Sequence, residues 1–189
     1  MSDPEEVLDY WLGEVGPEGW YAGGTELDAE IRAQFEDLWC AAAGGGLDHW
    51  IDGAGPCLGF IVLTDQFPRN MFRDTAEAFA TDARALAAAK LAVAQGWDTA
   101  APEPDRQFFY LPYEHSEVAA DQEAAVELMK TRLPGSPDNL LHARAHQDII
   151  RRFGRFPFRN AALGRDTTPE EAAFLAEGGY GAVVRALQG

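Results

Sequence analysis

Thr75–Gln95 reads TAEAFATDARALAAAKLAVAQ, and the fold turns on it. Ala76, Phe79, Ala80, Ala83, Leu86, Ala87, Leu91 and Ala94 recur at three- and four-residue intervals, the period of one helix face, and Gly96 follows as a stop. A stripe built mainly of alanine lets a neighbouring helix approach closely. That favours stacked antiparallel helical hairpins over helices laid on a sheet.

Working upstream, Thr25 opens a helix carrying Ile31, Phe35, Leu38 and Ala42, which Gly44-Gly45-Gly46 ends. Asp28 stands where a capping box usually has Glu or Gln. Ser2 reads as the cap of a first helix with Pro4 and Glu5 in its first turn, running through Val7, Leu8 and Trp11 to Gly13. Val15–Gly24 reads as loop. Leu47–Gly55 is turn-like, and the apolar run CLGFIVLTDQF (57–67) suits a buried strand as well as a helix, with Pro68 closing it either way. Downstream, RQFFYLPYEHSE is an aromatic element halted by Pro112. Ser116 caps a helix to about Leu133, and Pro137 starts another that ends at Phe153 before Gly154. Thr168-Pro169-Glu170-Glu171 opens a final helix, followed by a glycine-rich tail. Strands and helices do not alternate, so the expectation is one all-α domain over residues 1–189.

Composition narrows the function classes. At 47% hydrophobic and 11% aromatic, the chain is no disordered segment. Its longest apolar run, Cys57 to Leu63, is far short of the roughly 20 residues that span a bilayer. The acidic N-terminus MSDPEEVLDYW is unlike a signal peptide, which places the expectation in the cytoplasm. Cys40 and Cys57 are isolated and read as buried free thiols. A net charge of −16 argues against nucleic acid or an anionic membrane as partner.

Against that acidic background, Arg144–Arg165 (RAHQDIIRRFGRFPFRNAALGR) holds six of the thirteen arginines and one acid, Asp148. Guanidinium groups match phosphate and carboxylate bidentately. The phrase Phe156-Pro157-Phe158-Arg159-Asn160 also nearly repeats Phe67-Pro68-Arg69-Asn70. The two turns are therefore expected to converge on one concave pocket, with His115 and Glu117 at its wall.

The candidate acid–base groups are His115, Glu117, His146 and Asp65. For each a structural reading stands beside the functional one. Ser116 can be a simple cap with His115 packed on Phe108, Phe109 and Tyr110, and Asp65 can neutralise Arg69 or Arg73. Ligand contacts are expected from Gln66, Arg69, Asn70, Arg73, Tyr110, Arg152, Arg155, Arg159 and Asn160. His142 and His146 lie four apart, as in many zinc helices. The glutamate of HExxH and any cysteine cluster are missing, so no metal or other cofactor is expected.

Three motifs together, Leu63–Arg73 (LTDQFPRNMFR), Tyr110–Glu117 (YLPYEHSE) and His146–Arg165, resemble the bacterial domain-of-unknown-function family numbered 924. The similarity extends from Val7-Leu8-Asp9-Tyr10-Trp11 to Glu171. It implies an all-helical, tetratricopeptide-like stack in which CLGFIVLTDQF is helical, and it carries no biochemical activity. The family's pattern is Phe-Pro-His-Arg-Asn where this chain has Phe158. Two functions compete: a small-molecule enzyme or binding protein for an anionic phosphate or carboxylate ligand, and a helical-repeat module that binds a peptide or protein. The arginine, asparagine and histidine around the proline turns favour the first.

Overall fold

The computed structural model describes residues 3–189, whose regular elements are all helices, with no strand among them. They form two compact units, Met1–Pro112 and Tyr113–Gly189. The cap predicted at Ser2 lies outside the described residues. Asp3 caps α1 (Pro4–Leu8), its side chain accepting the Glu5 amide at 3.0 Å. The helix does not stop at Gly13. It widens into a π-helical stretch, Asp9–Val15, and meets the short α2 (Gly16–Gly19) inside the segment predicted as loop.

In the N-terminal unit α3 spans Thr25–Ala43 and buries Ile31, Phe35, Trp39 and Ala42. The ambiguous apolar run is helical: α4 (Ala54–Ile61), a π-helical turn over Val62–Gln66, then α5 (Phe67–Met71). Pro68 therefore does not close the run, and the local geometry explains how it is accommodated. Proline has no N–H to give the carbonyl four residues back, that of Thr64. The widened turn lets the Phe67 amide reach Val62 instead, and the stranded Thr64 carbonyl accepts the Thr81 hydroxyl at 2.6 Å. Thr81 in turn accepts the Trp39 indole N–H at 3.0 Å.

That use of Thr81 breaks the predicted 75–95 helix in two. A 3-10 turn covers Ala76–Phe79, and α6 runs Asp82–Gln95 to a left-handed Gly96, the predicted stop. The buried face also differs from the expected stripe: Ala85, Ala88, Ala89 and Ala92 are inside, while Ala83, Ala87, Leu91 and Ala94 are exposed. In a helix apolar at most positions several faces look alike. The all-alanine face is the one that packs against α4, because it permits the closest approach. The same demand fixes Gly59, where a Cβ would lie 2.9 Å from the Pro4 carbonyl oxygen and push α1 off α4. Phe67 anchors the core, its ring 4.7 Å from Phe35, 5.5 Å from Trp11 and 6.2 Å from Tyr10. Cys57 is buried, its thiol pushed up to about 12 by that burial, whereas Cys40 is exposed, contrary to expectation.

The short α7 (Leu111–Glu114) contains Pro112 and precedes the C-terminal unit's α8 (Ala119–Arg132) and α9 (Pro137–Phe153), which pack on each other. Ser116 does not cap α8 directly. Its hydroxyl donates to Asp121 at 2.6 Å and accepts the Val118 amide, tying the entry loop down two residues earlier. Gly154 ends α9 in the left-handed region, as predicted. α10 (Pro169–Ala176) opens with a capping box between Thr168 and Glu171. The glycine-rich tail is a helix, α11 (Gly179–Gln188), which packs on α9. Its glycines obscured an apolar face that includes Tyr180 and Val183, which lie against the core of Ile149, Ile150, Phe156 and Phe174. No helix of the described residues is long and apolar enough to cross a membrane.

Thr81→Val keeps the shape of the side chain but leaves the Thr64 carbonyl and the Trp39 N–H buried and unpaired. A loss of roughly 2–4 kcal/mol is expected in urea unfolding followed by tryptophan fluorescence, with Thr81→Ser near wild type. A Thr81→Val change within the error of the measurement would remove Thr81 from this role.

Candidate functional site

The two Phe-Pro phrases do the same local work in their separate units. Each sinks a fully buried phenylalanine, Phe67 or Phe156, into its own core, and the proline fixes the chain behind it. Arg69 and Asn70 then follow half-buried, whereas Arg159 and Asn160, beyond the exposed Phe158, are buried.

In the N-terminal unit the arginines meet acids. Arg69 binds Asp82 bidentately at 2.9 and 3.1 Å, donates to the Asp65 backbone carbonyl at 2.6 Å, and lies 3.3 Å from the Asp65 carboxylate. Asp65 is 0% exposed and also accepts the Gln66 amide at 2.6 Å. Burial works against the Arg69 charge, yet Asp65 and Asp82 more than offset it and leave the guanidinium above its usual pKa. Arg73 pairs with Asp28 and donates to Asn70 at 3.0 Å, and Asn70 donates to the Gln66 carbonyl. The Tyr110 hydroxyl donates to Asp98 at 2.7 Å. Asp65 is thus a buried charge partner of Arg69.

In the C-terminal unit a second network surrounds Phe156. Arg165 grips Glu117 at 2.8–3.1 Å, and Glu117 also accepts the Phe156 amide at 2.8 Å. Burial pushes Glu117 up, but Arg165, that amide and the nearby Arg159 together hold it below the ordinary carboxylate range. Arg155 clasps Glu171 at 2.6 and 2.9 Å, and Asn160 donates to Glu171 at 3.1 Å while accepting from Arg165 at 3.0 Å. The Arg155 bonds come first, with the Thr168 amide behind them, in driving Glu171 down to about 2. Arg152 pairs with Glu170 at 3.3 Å and lies over the Phe153 ring.

Beside this network is a cluster of imidazoles and aromatic rings. His142 and His146 share a face of α9. His146 Nδ1 lies 2.9 Å from the His142 carbonyl and 3.3 Å from Glu114 Oε2. A carbonyl only accepts, so in this contact Nδ1 carries the hydrogen. Glu114 is 2% exposed, and its other oxygen, Oε1, is buried with no hydrogen-bond partner among the described residues. The His115 ring stands 6.3 Å from His146, Phe156 meets His146 edge-on at 5.4 Å, and Tyr180 is 4.9 Å away and hydrogen-bonded to His142. Phe158, 42% exposed, stacks on Phe156 at 5.2 Å and lies 6.2 Å from Tyr180. The Arg159 guanidinium covers the Phe156 ring at 4.6 Å. Among the described residues no group of three or more His, Cys, Asp and Glu is placed to hold a metal ion.

The structure thus brings His115, His146, Phe156 and Arg159 into one cluster of the C-terminal unit, whereas Glu117, Arg155 and Asn160 are held in ion pairs and hydrogen bonds that brace the turn. The carboxylate facing His146 is Glu114, which sequence reasoning passed over for Glu117. In YEHSE acids stand on both sides of the histidine, and spacing alone does not choose between them. Tyr180 was missed because its neighbours are glycines.

Residues 7–179 match the family described as bacterial protein of unknown function, DUF924. A solved structure described as the protein of unknown function ATU0120 from Agrobacterium tumefaciens is similar, with 43% identity, a TM-score of 0.87, and coverage of 93% of this chain and 97% of that one. None of the curated proteins matches the chain.

Two predictions follow from the ion pairs. Arg69→Ala strands the buried Asp65 charge and should cost about 3–5 kcal/mol in denaturant unfolding; a neutral result would mean that Asp65 is not held by Arg69. Glu171 has a folded pKa of about 2 against about 4.3 in an unfolded chain. Its contribution is therefore complete above the unfolded value and is lost as pH falls toward 2. Melting temperature followed from pH 6 to 2 should fall across that window, and Glu171→Gln should flatten the fall while lowering stability at neutral pH.

Proposed function

This chain belongs to that bacterial family of unknown function, and we propose that its C-terminal unit forms a small-molecule enzyme or binding site that takes an anionic ligand, a phosphate or carboxylate, beside His146. The observation that carries this reading is the Glu114–His146 pair. The His142 carbonyl and Glu114 hold Nδ1 protonated, which leaves Nε2 to take a proton from a bound ligand or return one. The buried carboxylate then steadies the imidazolium as it forms, a positioning role for Glu114. His115 supplies a second imidazole. Arg159, held against Phe156, adds positive charge, and Phe156, Phe158 and Tyr180 form walls that limit water. Phe158 stands where the family's pattern has histidine, so in this chain that part of the wall is apolar.

The N-terminal turn supports a different role for its residues. Asp65, Gln66, Arg69, Asn70 and Arg73 make their contacts to one another and to Asp28 and Asp82, which suits holding that unit together.

A thermal-shift titration with inorganic phosphate and with small carboxylates tests the reading. A ligand that binds only the native state stabilises it by about 2.7 kcal/mol at one hundred times Kd. A concentration-dependent rise in Tm is expected, lost in His146→Gln and Arg159→Ala and weakened in Glu114→Gln. Nitrogen-15 spectra of the wild type should show the Nδ1–H tautomer at His146. If no anion raises Tm, or if His146→Gln responds like the wild type, the proposal fails.

A further inference from the structure

The N-terminal unit contains a half-open cavity of about 220 Å³ that none of the groups above uses. Its walls include Leu12, Leu58, Trp97, Ala100 and Phe109, and Asp105 is the lining residue with a charged side chain. For scale, an engineered apolar cavity of about 150 Å³ holds benzene, so this one has room for a ring with a short polar arm. A carboxylate set into an apolar wall loses hydration, and burial pushes the Asp105 carboxyl above its ordinary range. No ion pair reaches it among the described residues. The guanidinium of neighbouring Arg106 donates to the backbone carbonyls of Ala101 and Thr99. The surrounding charge has the same sign as Asp105: residues 1–112 carry six basic against twenty acidic side chains, a net −14 of the chain's −16. Such a field concentrates cations and repels anions.

We propose that this cavity binds a small organic cation with an apolar body, an ammonium group carried on an aromatic ring or a short branched chain. The ammonium pairs with Asp105 and replaces the hydration that the carboxylate has lost. The body covers Leu12, Leu58 and Ala100, and the rings of Trp97 and Phe109 offer negative faces to the positive charge. An anion of the kind proposed for the C-terminal unit is excluded here by Asp105 and by the net charge, so the two sites differ in the sign of what they take. Neither depends on the other.

Isothermal titration at pH 7 with benzylamine, which is protonated there, against its neutral counterpart benzyl alcohol tests the assignment in the full chain. Saturable binding of one benzylamine is expected, with benzyl alcohol and the Asp105→Asn variant each weaker by roughly ten-fold, the usual effect of removing a charge-assisted contact. Ala54→Leu, which adds bulk at the cavity wall, should abolish binding and thereby locates it. The amine-to-alcohol comparison is made in the wild type and stands even if a variant fails to fold. Equal binding of amine and alcohol, no saturable binding of the amine, or amine binding unchanged in both variants each overturns the proposal.

Discussion

One carbonyl, that of Thr64, sets the arrangement of the N-terminal unit. Pro68 sits inside a helix and removes the amide this carbonyl would normally receive, and a buried carbonyl without a donor costs about 1–3 kcal/mol. The chain answers with a π-helical turn and with Thr81, whose hydroxyl bridges from the Thr64 carbonyl to the Trp39 indole. Three elements are thereby tied at one point: α3 through Trp39, the α4–α5 helix through Thr64, and the start of α6 through Thr81. The interruption of the alanine-rich helix at Thr81 accompanies that tie. It starts α6 afresh at Asp82, whose carboxylate receives Arg69 from α5.

In the C-terminal unit the organising group is Glu171. It completes the capping box that starts α10, clasps Arg155 from the end of α9, and accepts from Asn160 behind the second Phe-Pro turn. With Arg165 bound to Glu117 on the other side, the loop that carries Phe156 and Arg159 is held from both directions. The position of His146 is fixed by its neighbours: the α9 backbone, Glu114 and the rings of Phe156 and Tyr180 surround it.

Charge is divided unevenly along the chain. The C-terminal unit has nine basic and eleven acidic side chains and is nearly balanced, while the N-terminal unit carries almost all the excess negative charge. A net value for the whole chain therefore hides two different electrostatic settings, and a ligand is recognised by the local one.

What was legible in the sequence rests on interactions within four or five residues. Gly96 and Gly154 end their helices because a left-handed turn there favours glycine, Pro137 starts α9, and Thr168 with Glu171 writes a capping box. These local rules identify an all-α chain and those helix ends. Contacts across tens of residues decided the rest. The face of α6 that turns inward was ambiguous because alanine marks no single stripe, and α4 selects it by shape. Pro68 was read as a stop because its rescue lies 13 residues away, in Thr81. Both Phe-Pro turns were visible, but the carboxylates that Arg69, Arg73, Arg165 and Arg155 meet, Asp82, Asp28, Glu117 and Glu171 in that order, depend on helices the local sequence does not position. The same holds for Glu114 and Glu117. Three residues apart in one chain, they face different partners, because α9 brings His146 to one while the loop beyond Phe156 brings Arg165 to the other.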